Sequence, residues 1–140
     1  MLSITVLGVG TLKEQFLRDA IKEYSKRISG YAKLTIKETS NDRELIPLLP
    51  KKAYKIALCI EGRQLSSEEL ASKIEEISQT HATLCFIIGS SHGIDTALIN
   101  ECDLKLSISK LTFPHQLMRV IMLEVIYRAM NIIKGTKYHK

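Results

Sequence analysis

A short apolar run near the middle of the chain reads TLCFIIG, from Thr83 to Gly89. It contains no charged residue, and apolar and polar side chains do not alternate along it. Such a run is typical of a strand covered on both faces, as in the centre of a parallel sheet. We therefore predict a central strand over Thr83–Ile88, then a tight glycine-flanked turn over 89–93 and a short helix to about Glu101.

Strand-like and helix-like segments alternate on both sides of this run. The further predicted strands cover residues 2–7, 32–36, 55–60 and 104–108. Helical spacing of apolar residues predicts helices over 12–28, 67–79 and 115–134, and Ser66 with Glu69 predicts a capping box at the second of them. The segment 41–54 is predicted as a short helix interrupted near Pro47. This alternation indicates an α/β fold with a mainly parallel sheet, in which the half-polar strand 32–36 lies towards an edge.

Length and composition indicate an ordinary globular protein. The chain has 140 residues, of which 45% are hydrophobic and 25% charged, so we expect a single domain over 1–140. No apolar run approaches the roughly 18 residues of a membrane span, and the first residues lack the basic start of a secretory signal. Three scattered cysteines favour reduced thiols and argue against a structural metal site. We therefore expect a cytoplasmic protein with no membrane partner and no metal.

The net charge of +5 is spread along the chain and is compatible with a polyanionic partner such as nucleic acid, although charge alone does not identify one. The sequence ends in Tyr138, His139 and Lys140. These side chains are of the kinds that contact a base or a phosphate, and the alternative is a frayed terminus.

The last predicted helix, 115–134, is apolar almost all round. Because a domain of this size has little room to bury such a helix, we predict that one face packs against a second subunit in a homodimer. Its polar residues form two groups, His115 with Arg119 and, on the opposite side, Glu124 with Arg128 and Asn131. Glu124 and Arg128 have the spacing of a helical ion pair. A structural pair and a functional one both remain open.

Two loops that follow predicted strands are candidate binding elements. The turn 89–93 leaves the carboxyl end of a buried strand, where open α/β sheets bind ligands. The loop 108–115, ISKLTFPH, is rich in backbone and hydroxyl groups that form hydrogen bonds. For each loop the alternative is an ordinary connection. A further glycine pair, Gly8 and Gly10, is interpreted as a strand-to-helix turn, because Lys13 stands where a dinucleotide-binding fingerprint needs glycine.

Several stretches together resemble one known family over essentially the whole chain. The most diagnostic are LSISKLTFPHQLMR at 106–119, LEVIYRA at 123–129 and GTKYHK at 135–140; VLGVGTLK at 6–13, IALCIEGRQLSSE at 56–68 and FIIG at 86–89 fit too. The sequence resembles the bacterial ribosomal large-subunit methyltransferase H family.

This resemblance implies a SPOUT-type α/β fold with a mostly parallel sheet and a C-terminal trefoil knot. It implies a cytoplasmic homodimer that uses S-adenosyl-L-methionine to methylate N3 of a pseudouridine in helix 69 of 23S rRNA, on the assembled ribosome and without a metal. It also implies a composite active site, in which the tail of one subunit completes the cofactor pocket of the other.

The resemblance also assigns candidate site residues. The cofactor-binding set is Leu58, Gly89, Ile108, Ser109, Lys110, Leu111, Thr112 and Phe113. Leu58 and Phe113 are expected to wall the adenine, and Gly89 to allow a close backbone approach. Since N3 of pseudouridine carries a proton near neutral pH, the reaction needs a base or a stabilised anion. The catalytic candidates are His139 as proton acceptor, Tyr138 as a group that positions the base, and Arg119 or Arg128 as a clamp on a phosphate or oxygen.

The chain departs from the family pattern in three places. Ser90 stands where a second glycine is usual, and a positive φ there would cost roughly 1 kcal/mol or more. Cys59 replaces a usual acidic residue, and the region 40–54 is shorter than usual. These departures motivate an alternative function, a non-catalytic RNA- or ribosome-binding relative with weakened cofactor binding.

Overall fold

The structure, a computed structural model, describes residues 1–139. Its elements in chain order are β1 Ser3–Val9, α1 Gln15–Ile28, β2 Lys33–Thr39, a 3₁₀ helix Asp42–Leu48, β3 Tyr54–Gln64, α2 Ser67–Ser78, β4 Thr83–Ile88, α3 Thr96–Ile99, β5 Leu104–Ser107 and α4 His115–Lys134. The five strands form one sheet in the order β2-β1-β4-β3-β5, and every neighbouring pair is parallel. The predicted α/β class and parallel sheet are confirmed.

The strand with the continuous apolar run lies at the centre of the sheet. In β4, Leu84, Phe86 and Ile87 are fully buried, because β1 and β3 flank the strand and both faces are covered. β2 lies at an edge, as its alternation of exposed and half-buried side chains predicts.

Helices cover the two faces of the sheet unequally. One face packs against α1, α2 and α4 and holds the larger core, whereas the 3₁₀ helix and α3 cover the other face. α4 packs against both α1 and α2 and buries Met122, Leu123 and Ile126 completely. Along the same helix Leu117 and Ile121 remain half-buried. The homodimer stays a prediction, and this half-buried apolar stripe is the surface on which it rests.

Local capping chemistry fixes two helix ends. Ser66 and Glu69 form the predicted capping box at the start of α2, with side-chain to backbone hydrogen bonds of 3.0 and 2.8 Å. α4 runs over the predicted residues and ends at Gly135, whose left-handed φ of 73° suits glycine.

Two predicted boundaries differ from the structure, each because of a contact that the apolar pattern does not show. α1 begins at Gln15 and not at residue 12, since the carbonyls of Leu12 and Lys13 accept hydrogen bonds from the Arg18 side chain. β3 continues to Gln64 instead of ending at Ile60, because it pairs with β5 a second time after a register shift between Leu58 and Arg63.

Among residues 1–139, no helix combines the length and the apolar character that crossing a membrane requires. The trefoil knot stays a prediction.

Candidate functional site

A cavity of about 450 Å³ opens at the carboxyl end of the sheet, where β3, β4 and β5 lead into loops. Seven of the eight predicted cofactor-binding residues line it, namely Leu58, Gly89, Ile108, Ser109, Leu111, Thr112 and Phe113. Lys110 is exposed and is not part of the lining. The structure therefore brings together residues from three separate segments. The volume of the cavity lies within the range of small-molecule sites.

The turn after β4 forms one wall of the cavity and explains its glycines. A Cβ on Gly89 would lie 2.6 Å from the carbonyl oxygen of Gly93, so residue 89 must be glycine because the chain itself passes so close. The turn is closed by a hydrogen bond of 2.9 Å from the Gly93 amide to the Ser90 carbonyl.

Ser90 does not carry the strain that motivated the alternative function. Among residues 1–139, positive φ values occur only at Gly10, Gly93 and Gly135, so the left-handed conformation of this turn falls on Gly93. The backbone of the turn is therefore compatible with serine at position 90.

The loop after β5 forms the opposite wall and is shaped by Ser109. The Ser109 hydroxyl accepts a hydrogen bond of 3.0 Å from the Leu111 amide, and the Ser109 carbonyl accepts one of 3.2 Å from the Ser107 hydroxyl. These contacts turn the loop so that Leu111 projects into solvent with 72% of its surface exposed. An exposed leucine at the rim offers an apolar contact to a ligand or a partner.

The irregular part of β3 forms the third wall. A Cβ on Gly62 would lie 2.8 Å from backbone carbon atoms of Lys105 and Leu106, so glycine lets β3 and β5 approach again after the register shift. Cys59 to Glu61 then border the cavity. Burial, followed by the negative charge of Glu61, raises the pKa of the Cys59 thiol, which favours the neutral thiol.

His115 ends the candidate loop 108–115 but was not among the predicted cofactor-binding residues, and it lines the cavity together with Met118. The His115 Nε2 atom lies 2.9 Å from the Val9 carbonyl oxygen, which only accepts, so Nε2 carries a proton. The signal in the sequence was the one-turn spacing of His115 and Arg119, which puts both side chains on the face of α4 that meets the end of β1.

Arg119, predicted to bind a phosphate or an oxygen, instead makes buried contacts within the chain. Only 3% of its surface is exposed, and its guanidinium donates hydrogen bonds to the Gly10 carbonyl at 3.1 Å and to Glu38 at 2.6 Å. A Cβ on Gly8 would lie 2.8 Å from the guanidinium carbon, so Gly8 makes room for it. This geometry joins the ends of β1 and β2 to α4 and does not support a clamp on RNA.

The other three catalytic candidates lie together at the opposite end of α4. Arg128 pairs with Glu124 at 3.0 Å, as their spacing predicts, and both side chains remain partly exposed. Tyr138 donates a hydrogen bond to Glu124, and the ring of Tyr138 lies 4.8 Å from the Arg128 guanidinium carbon. His139 lies between Arg128, at 3.2 Å, and Glu68, at 2.7 Å.

Buried polar contacts hold this tail against α4, so Tyr138 and His139 are not frayed. Asn131, which is 2% exposed, accepts hydrogen bonds from Tyr31 at 2.9 Å and from Thr136 at 2.6 Å through its side-chain oxygen. The ring of Tyr138 also meets that of Tyr127 edge-on at 4.8 Å. Lys140 lies outside the described residues.

Glu124 sets the protonation of Tyr138. The hydrogen bond to the Glu124 carboxylate, and then burial, raise the pKa of Tyr138 to about 12. The hydroxyl therefore stays protonated at neutral pH and acts as a donor. This state suits a group that positions a base rather than one that removes a proton.

Neither Tyr138 nor His139 lines the cavity of its own chain. On α4, Met118 borders the cavity and Glu124 contacts the tail, six residues further along the helix. At about 1.5 Å per residue, this separation is roughly 9 Å along the axis. It exceeds the roughly 3 Å that a methyl group travels between reacting atoms. A composite site between two subunits stays a prediction.

Comparisons with known proteins agree with this fold. A family model described as "Predicted SPOUT methyltransferase" matches residues 2–139. The chain is 44% identical to the ribosomal RNA large subunit methyltransferase H of Bifidobacterium adolescentis and 41% identical to that of Finegoldia magna, with 99% of this chain and 100% of each relative covered. A probable methylase family protein from Haemophilus influenzae has a similar fold, with a TM-score of 0.65 at 12% identity over 100% of this chain and 72% of its own. The chain therefore belongs to the SPOUT methyltransferases and, within them, to the ribosomal RNA large subunit methyltransferase H family.

Proposed function

We propose that the protein methylates N3 of a pseudouridine in helix 69 of 23S rRNA, on the assembled ribosome in the cytoplasm, with S-adenosylmethionine as methyl donor. The names of relatives with 41% and 44% identity over their whole length support large-subunit rRNA as the substrate. The observation that carries the proposal is the cavity, because seven of the eight residues expected to bind the methyl donor line it.

The lining suits a positively charged sulfonium compound that carries an adenine ring. Leu58 and Phe113 offer apolar walls, and the loop after β5 offers backbone groups for the edge of the ring. Within the described chain no Lys or Arg lines the cavity, whereas Glu61 does, so the fixed charges favour a cation. When bound, S-adenosylmethionine supplies an electrophilic methyl group, and the electron pair of the broken bond leaves with sulfur.

A homodimer with composite sites accounts for the distance between cavity and tail. The half-buried apolar stripe of α4 with Leu117 and Ile121 provides a surface for a second copy. In such a dimer, the tail cluster of one chain would lie over the cavity of its partner. The dimer would then be part of the catalytic apparatus, because neither chain alone aligns donor and acceptor.

The tail cluster supplies the groups that the acceptor requires. Tyr138 orients the base through a protonated hydroxyl, and Arg128 stabilises the negative charge that develops on the base or holds a nearby phosphate. His139 takes the proton from the acceptor nitrogen. Arg119 has no part in this proposal because its guanidinium is buried against Gly10 and Glu38.

The proposal includes one SPOUT domain over 1–140 with a C-terminal trefoil knot, in keeping with the SPOUT family model that matches residues 2–139. The alternative, a non-catalytic RNA-binding relative, is less well supported, because the positive φ of the turn belongs to Gly93 and not to Ser90.

The decisive experiment is methyl transfer from labelled S-adenosylmethionine to ribosomes that lack the modification, followed by mass spectrometry of the nucleotide. We expect incorporation at N3 of the helix 69 pseudouridine, and none on ribosomes that already carry the methyl group. Incorporation elsewhere would overturn the assigned nucleotide. A folded dimer that neither binds the donor nor transfers methyl would favour the RNA-binding alternative.

A further inference from the structure

Both ring nitrogens of His139 have partners in the structure. Nδ1 lies 3.2 Å from an Arg128 guanidinium nitrogen, and Nε2 lies 2.7 Å from a Glu68 carboxylate oxygen. Because guanidinium only donates hydrogen bonds, Nδ1 is the acceptor. Nε2 then carries the proton and donates it to Glu68. The two contacts thus select one tautomer and one orientation of the ring.

Glu68 is not needed for the helix on which it stands. The capping box of α2 consists of Ser66 and Glu69, so Glu68, between them and one residue inside the helix, is left to reach the tail. Its side chain is 64% exposed and contributes nothing to the core. The contact with His139 is the interaction that the structure assigns to this carboxylate.

The other charged groups near the ring are already paired with one another. Glu124 on α4 binds Arg128 at 3.0 Å and accepts hydrogen bonds from Tyr138 and from Tyr24 on α1. Within residues 1–139, Glu68 is therefore the carboxylate that meets the imidazole directly.

We propose that Glu68 is a positioning residue that holds His139 with Nδ1 ready to accept the proton of the target nitrogen. This inference rests on the proposed function. Arg128 first leaves Nδ1 for the negative charge of the RNA. The proton of the base then moves to Nδ1, the freed nitrogen pair forms the bond to the methyl carbon, and sulfur keeps the pair of its broken bond. The imidazolium, held at Nε2 by the Glu68 carboxylate, later releases its proton to water. A carboxylate that orients an imidazole and stabilises its protonated form is a familiar catalytic device.

The test compares Glu68→Ala, Glu68→Gln and a control, Glu75→Ala, on the exposed side of the same helix. In E68A we expect kcat for ribosome methylation to fall about 10- to 100-fold with KM unchanged for both substrates. The ¹⁵N shifts of the His139 ring should change from one tautomer to a mixture of two. E68Q should keep the tautomer, because its amide oxygen still accepts, but recover only part of kcat. E75A should match the wild type in both measurements.

Two results would overturn the positioning role while wild-type methylation is intact: a wild-type kcat in E68A, or a reduced kcat with unchanged ring shifts. A wild-type protein that transfers no methyl group to ribosomes would instead overturn the proposed function, and the proton transfer with it, whatever the ring shifts show.

Discussion

The two ends of α4 bind their surroundings in different ways. At the first end, His115 and Arg119 contact backbone carbonyls of Val9 and Gly10, at the end of a sheet strand. At the other end, Glu124 and Arg128 contact side chains of the tail, and both remain partly exposed. Backbone carbonyls at the end of a strand cannot move far, whereas exposed side-chain pairs exchange partners easily.

This difference matches the two tasks of a methyltransferase. The rigid end borders the cavity, where the proposed function requires the donor to be held in one orientation. The adjustable end carries the groups that the proposed function assigns to the RNA. Changes at the rigid end should therefore lower stability and donor binding, and changes at the adjustable end should lower transfer.

The largest effect is expected from removing Tyr138, His139 and Lys140. The shortened chain should lose methyl transfer by about 10³-fold, because proton acceptance and base positioning disappear together. Donor binding should be unchanged, since Tyr138 and His139 do not line the cavity of their own chain. Calorimetric titration with S-adenosylmethionine and single-turnover kinetics measure the two quantities. Full activity of the shortened protein would remove the tail from the mechanism.

Arg119→Ala should cost about 3 kcal/mol in the free energy of unfolding, measured with urea. The substitution removes a buried guanidinium and leaves Glu38 and the Gly10 carbonyl without their partner. Arg27→Ala is the matched control, because Arg27 pairs with Glu23 at the surface and its removal should lower the free energy of unfolding much less. Equal stability of the two variants would show that the buried contacts of Arg119 do not stabilise the fold.

Arg128→Ala should lower methyl transfer strongly and stability only slightly, unlike Arg119→Ala. We expect about a 10²-fold loss of transfer from the missing positive charge, with an intact dimer and a stability change below about 1 kcal/mol, because the ion pair with Glu124 is half-exposed. Kinetics and analytical ultracentrifugation provide the readouts. A monomeric or unfolded product would mean that Arg128 is structural.

The smallest effect concerns alkaline pH. Since the folded-state pKa of Tyr138 is raised from 10.0 to about 12, the contact with Glu124 stabilises the docked tail fully below pH 10. The contribution is lost as pH rises from there to about 12. Tyr138→Phe should remove one step near pH 12 from the tyrosinate absorbance titration. A missing step close to pH 10 would show that Tyr138 does not bind Glu124.

Sequence patterns predicted those elements whose determinants are local. The apolar run of β4, the capping box of α2 and the start and end of α4 follow from residues within a few positions of one another. The second half of β3 was missed because Glu61 and Gly62 interrupt the apolar pattern, and only the approach of β5 keeps that segment extended.

The residues of the candidate site also separate into those that local sequence predicts and those that distant contacts determine. The positions of two loops after predicted strands, together with the resemblance, selected the loops of the cavity. The environments of Arg119 and His139 instead depend on Glu38 and Glu68, which lie far away in sequence. No periodicity links such pairs. The sequence around a charged residue on a helix therefore does not indicate whether its side chain is buried in internal contacts or exposed.

The length of α4 has a consequence for how the activity depends on the amount of protein. If cavity and tail act only across two chains, a dilute chain that is folded and loaded with methyl donor remains catalytically silent. The rate would then rise more steeply than the concentration until most chains are paired. A cell would have a threshold of expression below which its ribosomes remain unmodified, set by a rigid helix of 20 residues.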